Sequence, residues 1–365
     1  MQKKIIALAI ASALTVPALA FAEATVYGQM NMSVDMVNDG VTGTSTSANQ
    51  LNSNTSRLGL KGSEDLGGGL SVVWGIEGKL TPDTGAGFSF DRNNSLGLKS
   101  ADMGTVLVGK LDTPYKSATR RMDLFGDGIA DNRGNQSTGG AVFNTSGAGA
   151  INRGMGDGND ARLSNVLAYS SPSMSGLSVS AATVFGAELN GAAAPIKKGS
   201  ALSLAGMYEQ GPIYATVAYQ TIKLGSAGTG DLDAANFGAG SAADDKGTAF
   251  KVGGSYSMDA ITANAVFEQT KWAPVAGGET KGTNLYFSGK FALSATDAAK
   301  LAYAKLGETK TGGVANGDDA SQITVGYDHG MSKTTTVYAL YTKVTNNTLV
   351  GANPSALSFG MKHAF

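Results

Sequence analysis

From Glu23 to Phe365 the chain alternates apolar with small or polar residues at a period of two. Leu58 and Leu60 alternate with Arg57, Gly59 and Lys61. Leu202, Leu204 and Tyr208 alternate with Ser203, Ala205 and Glu209. Ile213, Ala215, Val217 and Tyr219 alternate with Tyr214, Thr216, Ala218 and Gln220. Leu285 and Phe287 do so with Asn284, Tyr286 and Ser288, and Leu357, Phe359, Met361, His363 and Phe365 share the last face. The stretch around Val337, Ala339 and Tyr341 is less clean, because Tyr338 and Leu340 sit on its second face. This period predicts strands with one face on apolar surroundings and the other on water. Helical periodicity is confined to the neighbourhood of Tyr115 to Leu124.

The connections alternate between short and long. Seven are short (64–69, 101–104, 172–176, 209–212, 257–260, 294–298 and 328–333) and eight are long (38–55, 81–91, 113–161, 188–199, 223–247, 273–282, 309–319 and 346–354), which predicts sixteen strands. An even number of strands, with short turns at one rim and long loops at the other, is the pattern of an outer-membrane barrel. A soluble sandwich also alternates, but sixteen strands in one unit exceed it, and here the second face is Ser, Thr, Asn, Gln, Gly and charged residues. Aromatic residues near the strand ends (Tyr27, Trp74, Tyr169, Tyr208, Tyr219, Trp272, Tyr286 and Phe365) fit a membrane girdle. Closure has a simple cause: in hydrocarbon every backbone donor and acceptor must be paired, and only a closed sheet has no edge. The expected fold is all-β, a 16-stranded antiparallel transmembrane β-barrel spanning residues 23–365.

The first twenty-two residues read as an export signal. Lys3 and Lys4 are followed by an apolar stretch from Ile5 to Val16, then Pro17, then Ala20-Phe21-Ala22 before Glu23. That is the order of a cleaved signal peptide, and it implies work outside the inner membrane. Composition narrows the chemistry. The 365 residues contain no Cys, two His, 51 Gly and 16% charged residues, with a net charge of −1. Disulfides and cysteine metal sites are excluded, and nothing suggests a strongly basic nucleic-acid binder. His329 and His363 both fall near short turns, far from any grouped acid, base and nucleophile. No HExxH or GxSxG motif is present. No enzyme activity, cofactor or metal is expected. Asp157-Gly158-Asn159-Asp160 is only a fragment of a calcium loop. Asp244-Asp245 and Asp318-Asp319 lie in long loops, where bridging of lipopolysaccharide by divalent ions competes with simple solvation.

Particular stretches resemble a known family. They are Ala24-Thr25-Val26-Tyr27-Gly28, the run from Ser56-Arg57-Leu58-Gly59-Leu60-Lys61-Gly62 through Gly67-Gly68-Gly69-Leu70 to Trp74 and Glu77, and Ser95-Leu96-Gly97-Leu98. They continue with Gly104 to Pro114, Tyr169-Ser170-Ser171-Pro172 and the last strand ending in Phe365. The whole chain after residue 22 is similar to the general trimeric porins of Gram-negative outer membranes. The resemblance implies a homotrimer in outer-membrane lipid and lipopolysaccharide, with the third long loop, 113–161, folded into the lumen. It also implies that Phe365 is the terminal aromatic recognised by the barrel-assembly machinery, although His363 stands where an apolar residue is common.

The same resemblance implies wall arginines that face acidic groups on the inward loop, at Arg57, Arg92 and Arg162. Lys61 shares the parity of Arg57 and is expected to point inward too. Arg92 shares the parity of lipid-facing Leu96 and Leu98, so a bulge must intervene or the residue must lie above the lipid band. The loop offers Lys116, Arg120, Arg121, Asp123, Asp127 and Asp131. The three Asp follow at i, i+4 and i+8, one face of a short helix. Across 113–161 five basic residues meet five acidic ones, so the wall arginines are expected to tip the constriction weakly towards anions, since fixed charge sets ion preference. The expected function is passive diffusion of ions and small hydrophilic solutes. A substrate-specific channel of the same fold, an outer-membrane barrel enzyme and a surface antigen are the alternatives.

Overall fold

The structure, a computed structural model, describes residues 23–41, 43–132, 162–185, 197–226, 231–234, 241–346 and 352–365. The expected signal peptide, the calcium-loop fragment and the second half of the third loop lie outside these residues. Sixteen strands form one antiparallel sheet. They are β1 Glu23–Asn38, β2 Ser47–Ser53 continuing as Arg57–Gly67, β3 Leu70–Thr81, β4 Ala86–Ser89 continuing as Asn94–Ser100, β5 Gly104–Asp112 and β6 Arg162–Ser170. Next come β7 Leu177–Val184, β8 Ser200–Gln210, β9 Ile213–Lys223, β10 Lys246–Met258, β11 Ile261–Ala273 and β12 Thr280–Ala292. The last four are β13 Asp297–Leu306 extended by Lys310–Thr311, β14 Ala320–Gly330, β15 Thr335–Asn346 and β16 Ser355–Ala364. The short pieces Lys310–Thr311 and Val314–Ala315 pair with each other as a hairpin that carries the sheet beyond β13.

Each strand pairs with its neighbours in the chain, and β1 pairs with both β2 and β16, which closes the sheet. The seam ends in a reciprocal pair of backbone bonds: Gly28 N–H donates to Phe365 O (2.9 Å) and Phe365 N–H to Gly28 O (3.1 Å). The Phe365 ring lies where a Cβ on residue 28 would have to be, so the glycine lets the terminal aromatic lie flat on the seam.

The alternation places side chains as expected. Leu204, Val217, Val252, Phe287, Val325 and Phe359 are on the outer face, each 40–47% exposed. Ser203, Thr216, Gln220, Asn284, Thr324 and Thr342 point inward and are buried. Among the described residues no helix is long and apolar enough to cross a membrane; the crossing is made by strands. Three aromatic residues depart from the girdle expectation. Tyr27 shares the inward parity of Gln29, Trp272 packs beside inward Ile222 and Leu224, and Tyr286 is buried against the inward loop. Proximity to a strand end fixes height in the membrane, not which face is used. Tyr169, Tyr208 and Phe365 do lie on the exposed outer face near the short-turn rim.

The third loop enters the lumen. Thr113 caps helix α1, Pro114–Thr119, by accepting from Lys116 N–H at 3.3 Å, with Pro114 in the first turn. Such a cap and a proline at this position are favourable helix starts. A 3-10 turn, Arg120–Met122, follows. Tyr115 is fully buried. Its backbone N–H donates to Ser203 Oγ at 2.9 Å, its hydroxyl donates to Glu268 Oε1, and Lys251 Nζ lies 4.0 Å above its ring. Tyr214 OH donates to Ala118 O (2.7 Å) and Ser288 Oγ to Met122 O (2.7 Å). Gly253 leaves the space that Met122 fills. Further on, Phe125, Ile129 and Ala130 pack with Leu340 and Val344. This packing explains the irregular pattern of β15: its inward face meets a protein loop rather than water.

Tyr115→Phe should loosen this anchorage. It removes one hydrogen bond from a buried carboxylate that Asn284 Nδ2 still reaches at 2.9 Å, a loss of about 1.5–3 kcal/mol for a hydrogen bond to a charged group. Open-channel current noise should rise, and denaturant unfolding of the barrel should shift to lower concentration.

Candidate functional site: the charged constriction

β2 is interrupted at residues 54–56. Thr55 adopts φ 57°, Asn54 N–H donates to Asn31 O (2.7 Å), and Ser56 Oγ both accepts from Asn31 N–H (3.0 Å) and donates to Asn31 O (3.1 Å). Such an irregularity re-aims the next side chain. Arg57, paired in register with inward Gln29, crosses to the loop. Its guanidinium meets Asp127 Oδ2 at 3.1 Å and donates to Gln29 Oε1 at 3.3 Å.

Asp127 is the hub of the loop. It sits at φ 64°, a left-handed conformation that Asp adopts more readily than most residues. Arg120 binds its other oxygen at 2.5 Å, its N–H donates to Asp131 Oδ2 at 2.9 Å, and its carbonyl accepts from Asn31 Nδ2 at 3.1 Å. The three aspartates therefore do not line a helix, which ends before Asp123. Each bonds differently. Asp123 accepts from Phe125 N–H (2.9 Å), Asn132 N–H (3.2 Å) and Tyr286 OH (3.0 Å), Asp131 accepts from Asp127 N–H, and Asp127 takes both arginines. The i, i+4, i+8 spacing misled because Gly126 and Gly128 surround Asp127 and backbone N–H groups compete for the carboxylates.

A second knot of charge sits where the loop leaves the wall. Asp112 receives Arg162 Nη2 at 3.1 Å and Lys116 Nζ at 3.1 Å, and Asn93 Nδ2 at 3.2 Å. Arg162 Nε also donates to Asn93 Oδ1 at 2.9 Å. Arg92 is paired with Glu77. It lies in the break between the two halves of β4, so the interruption demanded by its parity is present. Glu77 is in register with Gly59, and Lys79 with Arg57, which puts both on the inward face. Lys61 also keeps the inward parity, but four residues from Arg57, about 13 Å along the strand. It lies towards the short-turn rim, over the Tyr27 ring at 5.2 Å, outside the charge cluster. Arg121 points towards that rim as well, meeting Glu209 at 2.8 Å and the Tyr214 ring at 4.3 Å.

The structure thus brings together Arg57, Arg92, Arg162, Lys116, Arg120 and Asp127. It adds Glu77, Asp112, Asn93 and Lys79, and the buried partners of Tyr115, Lys251 and Glu268, none of which the sequence singled out as site residues. Among the described residues no group of His, Cys, Asp and Glu could hold a metal ion. The acidic pairs of the long loops are already occupied. Asp244 is bridged by Lys197 and Lys223 (2.8 Å to the latter), and Asp245 accepts from Val275 N–H at 2.7 Å. Asp318 accepts from Thr309 N–H at 2.7 Å, and Asp319 pairs with Lys305 at 2.6 Å. His329 bonds Asp297 at 2.8 Å and His363 bonds Thr335 at 2.8 Å, both beside the short turn after β14.

Loop and wall together set a cluster of fixed charges inside a closed sheet. A family model for the Gram-negative porin matches residues 7–349. The chain is 29% identical to outer membrane porin protein 32 of Delftia acidovorans over 389 aligned positions that span all of both proteins. A stretch of 124 residues, covering 32% of this chain and 35% of the relative, is 33% identical to the major outer membrane protein P.IB of Neisseria meningitidis serogroup B, serotype 15. Among solved structures, an anion-selective porin from Comamonas acidovorans has the same fold, with a TM-score of 0.74 at 23% identity, covering 94% of this chain and all of that one. OmpT of Vibrio cholerae in its trimer form aligns with a TM-score of 0.67 at 15% identity, covering 94% of this chain and 99% of that one. The chain therefore belongs to the Gram-negative porin family, and is a non-enzymatic β-barrel channel of the outer membrane.

Proposed function

We propose that the channel passes small hydrophilic solutes and ions with a weak preference for anions. The observation that carries this reading is the imbalance in the charge cluster beside the loop. There Arg57, Lys79, Arg92 and Arg162 face inward or join the cluster, against Glu77 and Asp112. The described part of the loop is neutral, with Lys116, Arg120 and Arg121 against Asp123, Asp127 and Asp131. Most of these charges are paired, so the surplus is small and the preference modest. The structurally similar protein of Comamonas acidovorans is an anion-selective porin, which supports the same reading.

The trimer form of OmpT supports assembly of this chain as a homotrimer. A shallow apolar groove on the outer face, lined by Met32, Val34, Leu51, Ala339, Phe359 and Met361, offers a contact surface on β1, β2, β15 and β16. Methionine packs adaptably against irregular partners. Phe365, at the seam, is the residue that the barrel-assembly machinery would read. Residues 1–22 serve as the export signal, and amino-terminal sequencing of the protein from outer membranes should begin at Glu23.

Reversal potential in a salt gradient tests the selectivity. The wild type should favour anions, and a clear cation preference defeats the reading. Removing one charge about 10 Å from a permeating ion is worth ~0.4 kcal/mol in water, about a twofold change in the permeability ratio. Arg57→Ala should shift that ratio towards cations. Glu77→Gln, which leaves Arg92 without its carboxylate, should shift it towards anions by a similar factor.

A further inference from the structure

The break in β2 that aims Arg57 also begins a chain of bonds that ends on Asp127, the other partner of the ion pair. Asn54, fully buried in the break, turns its amide nitrogen to two acceptors, Ser33 Oγ at 2.7 Å and the Tyr338 hydroxyl at 3.0 Å. Tyr338 OH donates to Asn31 Oδ1 at 3.0 Å, and Asn31 Nδ2 donates to Asp127 O at 3.1 Å. Every link runs the same way, from wall to loop. The direction is forced at the far end. A backbone carbonyl only accepts, so Asn31 must present its nitrogen to Asp127 and its oxygen to Tyr338. The hydroxyl has one proton, given to Asn31, and accepts in turn from Asn54.

Tyr338 stands on β15 and reaches this position across a neighbouring strand. It is in register with Gly360 of β16, and Gly360 is in register with Ser33 of β1. A Cβ on residue 360 would lie 2.1 Å from Tyr338 Cζ. The ring therefore lies over the bare glycine and carries its hydroxyl one strand further, to β1. The ring also packs against the buried cluster around Phe125 and Leu340. Ring and hydroxyl thus do different work: the ring fills space, and the hydroxyl orients an amide.

We propose that Tyr338 is a positioning residue for ion selectivity: its hydroxyl holds the Asn31 amide in the orientation that keeps Asp127 against Arg57. Without the hydroxyl the amide is free to turn. With its oxygen towards the Asp127 carbonyl, two acceptors face each other and the loop backs away from the wall. Asp127 then keeps Arg120, which belongs to the same loop and binds it at 2.5 Å, and loses Arg57, which belongs to the wall. The charge released is positive, so the bore gains the field of a guanidinium that had been neutralised. The inference rests on the reading of this cluster as the seat of ion preference. The sign of the shift does not depend on which ion the wild type prefers.

The test is the reversal potential of the whole protein in planar bilayers under a salt gradient. Tyr338→Phe, which keeps the ring, should move the permeability ratio towards anions by about twofold, the effect of one charge about 10 Å from the ion. Gly360→Ala, whose methyl displaces the ring, should move it the same way. Tyr341→Phe, on the exposed outer face of the same strand, should leave it unchanged. In an Asp127→Asn background Tyr338→Phe should have no effect, because the carboxylate it positions is gone. A general loosening of the loop would shift the ratio in both backgrounds, so an equal shift in the two overturns the proposal. A wild-type ratio for Tyr338→Phe, or a shift towards cations, overturns it as well. If Tyr338→Phe does not fold, Gly360→Ala is read by the same criteria. Arg57→Ala separates the two readings. If it moves the ratio and Tyr338→Phe does not, the relay alone fails; if neither does, the cluster does not set ion preference and both fall.

Discussion

Everything in this molecule depends on leaving no backbone polar group unpaired in hydrocarbon. A strand with a free edge would expose a row of N–H and C=O groups that lipid cannot satisfy, each costing several kcal/mol. The sheet solves this only when the last strand finds the first, so the seam between β1 and β16 is the condition for the other fifteen pairings. Gly28 and Phe365 finish that seam with two reciprocal backbone bonds. Once it is shut, the outer face must be apolar and the inner face is free to carry charge.

Inside, the loop is held by the wall rather than by its own secondary structure. A helix of six residues is far too short to be stable alone. It persists because Tyr115, Met122 and Phe125 are fixed by strands on the far side, while Arg57 and Asn31 catch the loop at Asp127 from the near side. The ion pairs are only partly exposed, and their worth is less in stability than in position. They fix the wall arginine and the loop carboxylate in contact with each other.

Much of this was legible in the residues. Period-two alternation located the strands, and the short turns fixed their number. Legibility failed where a second layer of protein met the inner face. Leu340 and Tyr286 break the polar pattern because the loop covers them, and alternation alone cannot distinguish a loop from a membrane. Arg57 and Arg162 were found through family motifs. Glu77 was within reach of a register argument, because the tight turn at Gly67 to Gly69 pairs residue 59 with residue 77, on the same side as Arg57. Asp112 and Asn93 were not, since bulges at Gly109 and in the break of β4 decide where they aim. The bonding of Asp127 depended on a left-handed backbone that no spacing rule announces.

The cylinder is not evenly wet. Leu224, Leu232 and Ala234, from the connection between β9 and β10, are buried against Leu111, Leu163, Val166 and Ile222, and α1 covers Ala205, Ala218 and Ala249. Water is thus excluded from two patches of the inner wall, and one of them begins beside Arg162 and Asp112, at Leu163 and Leu111. A charge set against such a patch is screened less than one surrounded by water, so its field reaches further into the bore.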